Sequence, residues 1–516
     1  MKWAHFLHIY QPFDQHPGTL EKIVNESYRP LIRGFLKEPK TKITLNINAV
    51  LSEMLFEHGY RDVIEDVKLL VEMGRVELTG SAKFHAFLPL LPEKEVERQI
   101  MLNHETNKRY FGKAFNPKGF FPPEMAYTPK IAEVASRLGY KWILLDEVSM
   151  TTNSDFVLQN DAIHKIGDLD IDVFFREKAP SNLIMGALVR SAKSLETAME
   201  QRLLQDEYLI TAIDGETFGH HRPGLEQIIF DTMQSSAFDN VLISELQTLY
   251  PKGDSVMPLD STWASSIKDV RAGNPYSLWF DKSNKIHSEE WGLATLSITA
   301  LNDSKYSDVL YPSMLEEHLN WDEMHAEQKQ EEEKKRQWLK ARDALDKALN
   351  SDPWWWASAK PWWSVEMIEK GMHALLVVID SIPDVSSEIK DQAEDIYKRI
   401  LFTAHEWQRH GIVDQMEEND SKDRRIPLSK RFGASDHYKA LLDALKIQEK
   451  KACENREYEQ AIKWRDGQYK LERDLDIYDA VHILDLFRNE GDFDKFNEIL
   501  SEYKKKFREI SKWQPE

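Results

Sequence analysis

An α/β fold built on parallel βα units is predicted for the first half of this 516-residue chain, followed by helices, and three observations predict it. Short β-branched or aromatic runs alternate with longer amphipathic segments over the first 270 or so residues, as βα repeats do. Pro129 and Pro223 stand where a helix's first turn tolerates proline, and Gly59, Gly74 and Gly139 follow helical stretches as C-terminal caps. From His287 onward the strand signal fades and helical spacing takes over.

In chain order, the candidate strands are Trp3 to Ile9, Ile43 to Ile47, Arg75 to Leu78, Gly119 to Phe121, Lys141 to Leu145 and Leu209 to Ile213. Helical patterns lie between them at Arg61 to Met73, Glu93 to Phe111, Pro129 to Leu138 and Leu225 to Ser235. Residues 155–190 break the rhythm with short alternations and read as a hairpin-rich insertion. Met314 to Leu349 is a Glu/Lys/Arg-rich helix whose charges form a solvated face. A helical block follows at Ser364 to Gly411, then a polar turn-like stretch at Glu417 to Ser429, then helices including Tyr458 to Arg473. The expected division is a barrel over 1–275, a helical subdomain over 276–385 and a helical region over 386–516.

Composition narrows the function. A 41% hydrophobic share is enough for large cores, and 30% charged residues spread along the chain argue against extensive disorder. The formal charge of -20 repels nucleic acid and anionic lipid, and no Lys/Arg block overturns it. A neutral partner fits better. The lone Cys453 forbids an intrachain disulfide, and polar residues interrupt the apolar N-terminus, so a cytoplasmic protein with no membrane segment is expected. Fifteen tryptophans offer surfaces for sugar stacking as well as core packing.

Parallel barrels carry their working residues just after strand C-termini. Polar clusters stand at five such places: His8-Ile9-Tyr10-Gln11-Pro12, Glu77 with Gly80 and His85, Pro122-Pro123-Glu124, Asp214-Gly215-Glu216, and Asn350-Ser351-Asp352 before Trp354-Trp355-Trp356. Two prolines stiffen the approach to Glu124, which suits a nucleophile, although a carboxylate near the Pro129 helix start would also be favoured there. Asp214 closes an apolar strand, and Glu216 two residues on penalises joint ionisation, so burial and repulsion both raise a pKa toward that of a general acid. Two such carboxyls are the apparatus of glycoside cleavage. His8, His85, His220, His221 and His287 raise a metal site as the alternative, but no HxxxH or HxH spacing on one element supports it. No metal or other cofactor is therefore called for.

Together these clusters resemble, in order, the five motifs of glycoside hydrolase family 57: LHIYQPF, GRVELTG with FHAFLPLLP, GFFPPEMAY, AIDGETFGHH and ALNSDPWWWAS. Ser277 to Leu296 (SLWFDKSNKIHSEEWGLATL) resembles a segment of amylase and amylopullulanase-like members. The resemblance covers about residues 1 to 385 and implies a distorted (β/α)7 barrel, then a helical bundle whose fifth motif folds over the active face. It implies a retaining mechanism on α-glucans, with Glu124 as nucleophile and Asp214 as acid/base. His8, Gln11, Glu77, Glu216 and Asp352 match sugar-holding positions, and His85, His220, Trp263, His287 and Trp355 are further substrate-binding candidates. One departure stands out: Tyr10 occupies the place of the histidine in the usual His-Gln-Pro. The expected partner is an α-glucan or maltooligosaccharide, cleaved by hydrolysis, transferred between chains or branched. The rivals are an inactive carbohydrate-binding barrel and a metal-dependent deacetylase. The C-terminal helices either pack on the barrel or support a homo-oligomer.

Overall fold

A computed structural model describes residues 1–150, 160–187, 189, 191–199, 202–307, 325–360, 362–416 and 435–473. The first part of the expected insertion (155–159), the start of the charged helix (314–324), the stretch 417–429 and the chain after 473 lie outside the described residues. Two compact units are distinguished, 1–412 without the short stretch 186–188, and the remainder.

Ten strands are described: β1 (Lys2–Ile9), β2 (Ile43–Ile47), β3 (Val76–Leu78), β4 (Gly119–Phe120), β5 (Trp142–Asp146), β6 (Ile163–Ile166), β7 (Asp172–Arg176), β8 (Tyr208–Asp214), β9 (Asp239–Asn240) and β10 (Lys252–Val256). One sheet runs β3-β2-β1-β8 with β9 beside β1, and the other β10-β6-β7-β5-β4. Backbone hydrogen bonds join the two sheets at both seams. At one, Gly80 N donates to Gly119 O at 2.8 Å and Phe121 N to Gly80 O at 2.9 Å; at the other, Glu177 N donates to Ile210 O at 2.9 Å. Seven strands thus follow one another in a ring, β1-β2-β3-β4-β5-β7-β8. The first seam needs its glycine: a Cβ on Gly80 would sit 2.2 Å from the Tyr140 hydroxyl.

All six strands read from the sequence are present. The seventh, β7, lies inside the stretch taken for an insertion. It pairs antiparallel with β6, as a hairpin should, yet also parallel with β5 over five residues, from Trp142↔Asp172 to Asp146↔Arg176. Its local alternation shows the hairpin, whereas its barrel role rests on the partner across the sheet.

Along β1, Ala4 and Phe6 share a buried cluster with Phe121, Trp142, Leu144, Phe174, Tyr208 and Ile210, into which the helix Ile243–Leu249 inserts Ile243 and Leu246. The apolar strands therefore close around side chains, leaving the next β1 position, His8, above that layer.

The helices Lys285–Asn302, Ala326–Ala348, Val365–Ser381 and Ser387–Arg409 follow. Arg342 bonds both Glu95 (2.7 Å) and Asp346 (2.9 Å), and Arg98 bonds Asp346 (2.7 Å), tying the charged helix to Glu93–Phe111. In the second unit, the helices Ser435–Glu454 and Tyr458–Arg473 pack together, with Leu445, Ala461 and Trp464 buried. Among the described residues, no helix is long and apolar enough to cross a membrane.

Candidate active site

Parallel register brings the strand ends together. His8 of β1 lies opposite Asn46 of β2 and Asp214 of β8. Asn46 Oδ1 can only accept, so the 2.8 Å contact assigns a proton to His8 Nδ1. His8 Nε2 then accepts from His85 Nε2 at 3.2 Å, and His85 Nδ1 accepts from the Ser351 hydroxyl at 2.9 Å. One tautomer set satisfies the chain with both rings neutral. Burial agrees, lowering His8 to about 4 and His85 well below the usual range.

Glu124 follows β4 with φ 61° and ψ 13°, a left-handed conformation costing a non-glycine residue roughly 1–2 kcal/mol. Met125 and His85 also have positive φ, and strain of this kind clusters at functional sites. Trp263 holds the turn twice: its backbone N donates to Glu124 O at 3.1 Å and its indole Nε1 to Glu124 Oε2 at 2.7 Å. Burial first, then the charge of Asp214, raises Glu124 to about 8.

Asp214 is raised to about 7 by burial and then by the charge of Glu216, against the lowering effect of Arg176. The two carboxyls therefore titrate as a coupled pair across neutral pH. Their hydrogen bonding differs. Glu124 accepts from Trp263, whereas among the described residues no side chain donates to Asp214.

Glu216, two residues away, is held through one oxygen: its Oε1 accepts from Tyr10 N and Gln11 Nε2, both at 3.2 Å, and from the Tyr28 hydroxyl. Tyr10 stacks on His85 at 4.1 Å and donates through its hydroxyl to Asp352 Oδ2 at 3.3 Å. Asp352 opens the short helix Asp352–Trp356, and burial raises it to about 6. That helix is seated by Ser351 N donating to His85 O at 3.1 Å and by an antiparallel bridge between Ala86 and Asn350.

The structure thus gathers His8, Gln11, His85, Glu124, Asp214, Glu216, Trp263 and Asp352. Four sequence candidates, Glu77, His220, His287 and Trp355, bond or stack on other partners among the described residues. Glu77, paired with Thr44 one layer below Asn46, accepts from Thr44 Oγ1 (2.7 Å) and from Ser244 N (3.1 Å), capping the inserted helix. His220 bonds Glu26 at 2.6 Å. His287 is buried between Asp281 N (3.0 Å) and Trp354 O (2.9 Å), so Ser277 to Leu296 braces the fifth motif from behind. Trp355 stacks on Trp362 at 4.4 Å. Sequence reasoning missed Tyr28, Asn46 and Arg176. Asn46, a polar residue in an apolar strand, was the one visible signal. Among the described residues, no group of three or more His, Cys, Asp or Glu side chains is placed to hold a metal ion.

Residues 4–240 match the profile of Glycosyl hydrolase family 57. Over 275 residues the chain is 22% identical to Alpha-amylase 1 of Dictyoglomus thermophilum, covering 49% of this chain and 38% of the relative. It thus spans about two fifths of the length of the curated relatives it matches. In fold it is similar to a branching enzyme of Thermococcus kodakaraensis (TM-score 0.55, 14% identity, 77% of this chain and 94% of that one). It is also similar to the 4-alpha-glucanotransferase of Thermococcus litoralis (TM-score 0.53, 15% identity, 73% of this chain and 58% of that one).

Proposed function

We propose, from the match of residues 4–240 to Glycosyl hydrolase family 57, that this chain is a retaining glycoside hydrolase or transglycosylase acting on α-1,4-glucans, and on α-1,6 linkages if it branches. The observation that carries the reading is the half-buried pair Glu124 and Asp214: two carboxyls with raised pKa, coupled to each other, on opposite sides of the ring of strands. Residues 1–275 supply the catalytic unit, and 276–385 carry the fifth motif onto it. The lone Cys453 fits a reducing, cytosolic setting.

Glu124 Oε attacks the anomeric carbon as Asp214 passes its proton to the departing glycosidic oxygen, leaving a glycosyl ester on Glu124 and Asp214 as carboxylate. Water or a sugar hydroxyl, losing its proton to Asp214, then attacks the anomeric carbon, and the bond from that carbon to Glu124 Oε breaks to free the carboxylate. By the protein's own groups the proton favours Glu124, about 8 against about 7. Substrate reverses that order: positive charge developing at the anomeric carbon stabilises ionised Glu124, as does the Trp263 donor, while Asp214 faces a leaving oxygen. Neutral His8 and His85 hold each other in place between Asn46 and Ser351, and the Tyr10–Asp352 contact offers a hydroxyl and a carboxyl to the sugar hydroxyls. Tyr10 therefore alters how the sugar is held without displacing a proton carrier.

The amylase, glucanotransferase and branching enzyme among the similar proteins support α-glucan chemistry, and the acceptor reaching the ester distinguishes those three outcomes. Incubation with maltoheptaose, with NMR of the first-formed anomer, tests the reading. The expected product is the α anomer. Shortening alone means hydrolysis, disproportionation means transfer, and new α-1,6 linkages mean branching. A β anomer would reject Glu124 as nucleophile, and binding without turnover would favour an inactive carbohydrate binder.

A further inference from the structure

Between β5, β7 and β8 lies a buried guanidinium that the cleavage mechanism above does not use. Arg176, at the end of β7, is 4% exposed, and its partner Asp146, at the end of β5, is fully buried. Arg176 Nη1 donates to Asp146 Oδ2 at 2.6 Å, Nε to Ala212 O at 2.9 Å, and Nη2 to Asn182 Oδ1 at 3.1 Å. It therefore pins β8 two residues before Asp214. Its Cζ also lies 5.9 Å from the centroid of the Trp263 ring, the indole that donates to Glu124. A planar guanidinium serves these directions at once, which a lysine ammonium on a flexible stem does not.

We propose that Arg176, charge-balanced by Asp146, is a positioning residue for both working carboxyls, setting the charge felt by Asp214 and the place of the indole that binds Glu124. The proposal rests on the reading of Asp214 as acid/base. Glu216 beyond β8 and Arg176 from β7 act on Asp214, Glu124 from the β4 turn and Tyr28 feel its charge, and His8 stands at the same level of β1. Glu147, next to Asp146, also feels Arg176. Among these groups Arg176 lowers the proton affinity of Asp214, and Asp146 is its ion-pair partner at 2.6 Å. The two partners therefore have opposite effects. Loss of the guanidinium makes Asp214 hold its proton more tightly, and loss of the Asp146 charge makes it release the proton sooner.

The test is the pH dependence of kcat/KM for Arg176→Met, Arg176→Lys and Asp146→Asn, with Asp214→Asn assayed alongside and folding checked by circular dichroism. The alkaline limb is expected to move up by about one pH unit in Arg176→Met and down in Asp146→Asn. Arg176→Lys is expected to keep the wild-type limb with lower kcat, because the charge remains and the fork is lost. Limbs that stay in place, or move the same way in Arg176→Met and Asp146→Asn, would overturn the proposal. Should Arg176→Met not fold, the downward shift in Asp146→Asn and the fixed limb in Arg176→Lys decide it. Wild-type activity in Asp214→Asn would instead overturn the acid/base reading, separating the two failures.

Discussion

The helical block and the catalytic end of the barrel both bury carboxyl groups, and they treat them in opposite ways. Where the charged helix meets Glu93–Phe111, Glu95 and Asp346 are matched by Arg98 and Arg342, with bonds of 2.7 to 2.9 Å. At the barrel end, the one guanidinium that acts on Asp214, that of Arg176, is already bound by Asp146, and Glu124 is held by the Trp263 indole. Paired carboxylates hold helices together. Unpaired ones cost stability and keep a proton near neutral pH, as acid/base chemistry requires.

Replacing the unpaired group tests this contrast most severely. Glu124→Gln is expected to lower turnover by about 10⁴-fold or more while glucan binding persists, measured by initial rates and by calorimetric titration with maltoheptaose. Near-wild-type turnover would remove Glu124 from the chemistry. Asp214→Asn is expected to cost about 10²–10⁴-fold on maltooligosaccharides. The loss should be much smaller on a glucosyl fluoride, whose leaving group needs no proton, and an equal loss on both would speak against proton donation.

On the paired side, Arg342→Met leaves Glu95 and a shared Asp346 partly uncompensated, for an expected loss of about 3–5 kcal/mol in unfolding free energy. In the protein that remains folded, kcat should stay near wild type. A fall in kcat without loss of stability would blur the distinction.

The smallest effect is on stability against pH. Glu124 is raised from about 4.5 unfolded to about 8 folded, so the folded state holds a proton that the unfolded chain has released throughout that window. Stability from this group is full below about pH 4.5 and declines as pH rises toward 8. Glu124→Gln should therefore melt higher than wild type at pH 8, with the gap closing toward pH 5. A gap that does not change with pH would mean that Glu124 ionises freely.

Much of this was legible locally. The strands β1, β2 and β8 are apolar runs buried on both faces, so composition alone marks them, and the polar residues closing them, His8, Asn46 and Asp214, stand out against that background. Glu77 shows the limit. Its place in the second motif is the same whether its carboxylate faces a sugar or caps a helix, and Ser244, 167 residues away, decides which. His287 is a similar case, since the carbonyl its ring meets belongs to Trp354, 67 residues away.

The sequence by itself determined the βα rhythm, the helical second half, the five polar clusters and the two carboxyls at strand ends, since each depends on periodicity or on neighbours within a few residues. Only the tertiary structure decided that β7 belongs to the ring, that Glu216 Oε1 is bonded by Tyr10, Gln11 and Tyr28 while among the described residues no side chain donates to Asp214, and that Arg176 bonds the strand before Asp214 and lies near the Trp263 ring that binds Glu124. The reason is physical. The proton affinity of a buried carboxyl is set by charges and donors within a few ångströms, and in a barrel those come from strands far apart in the chain.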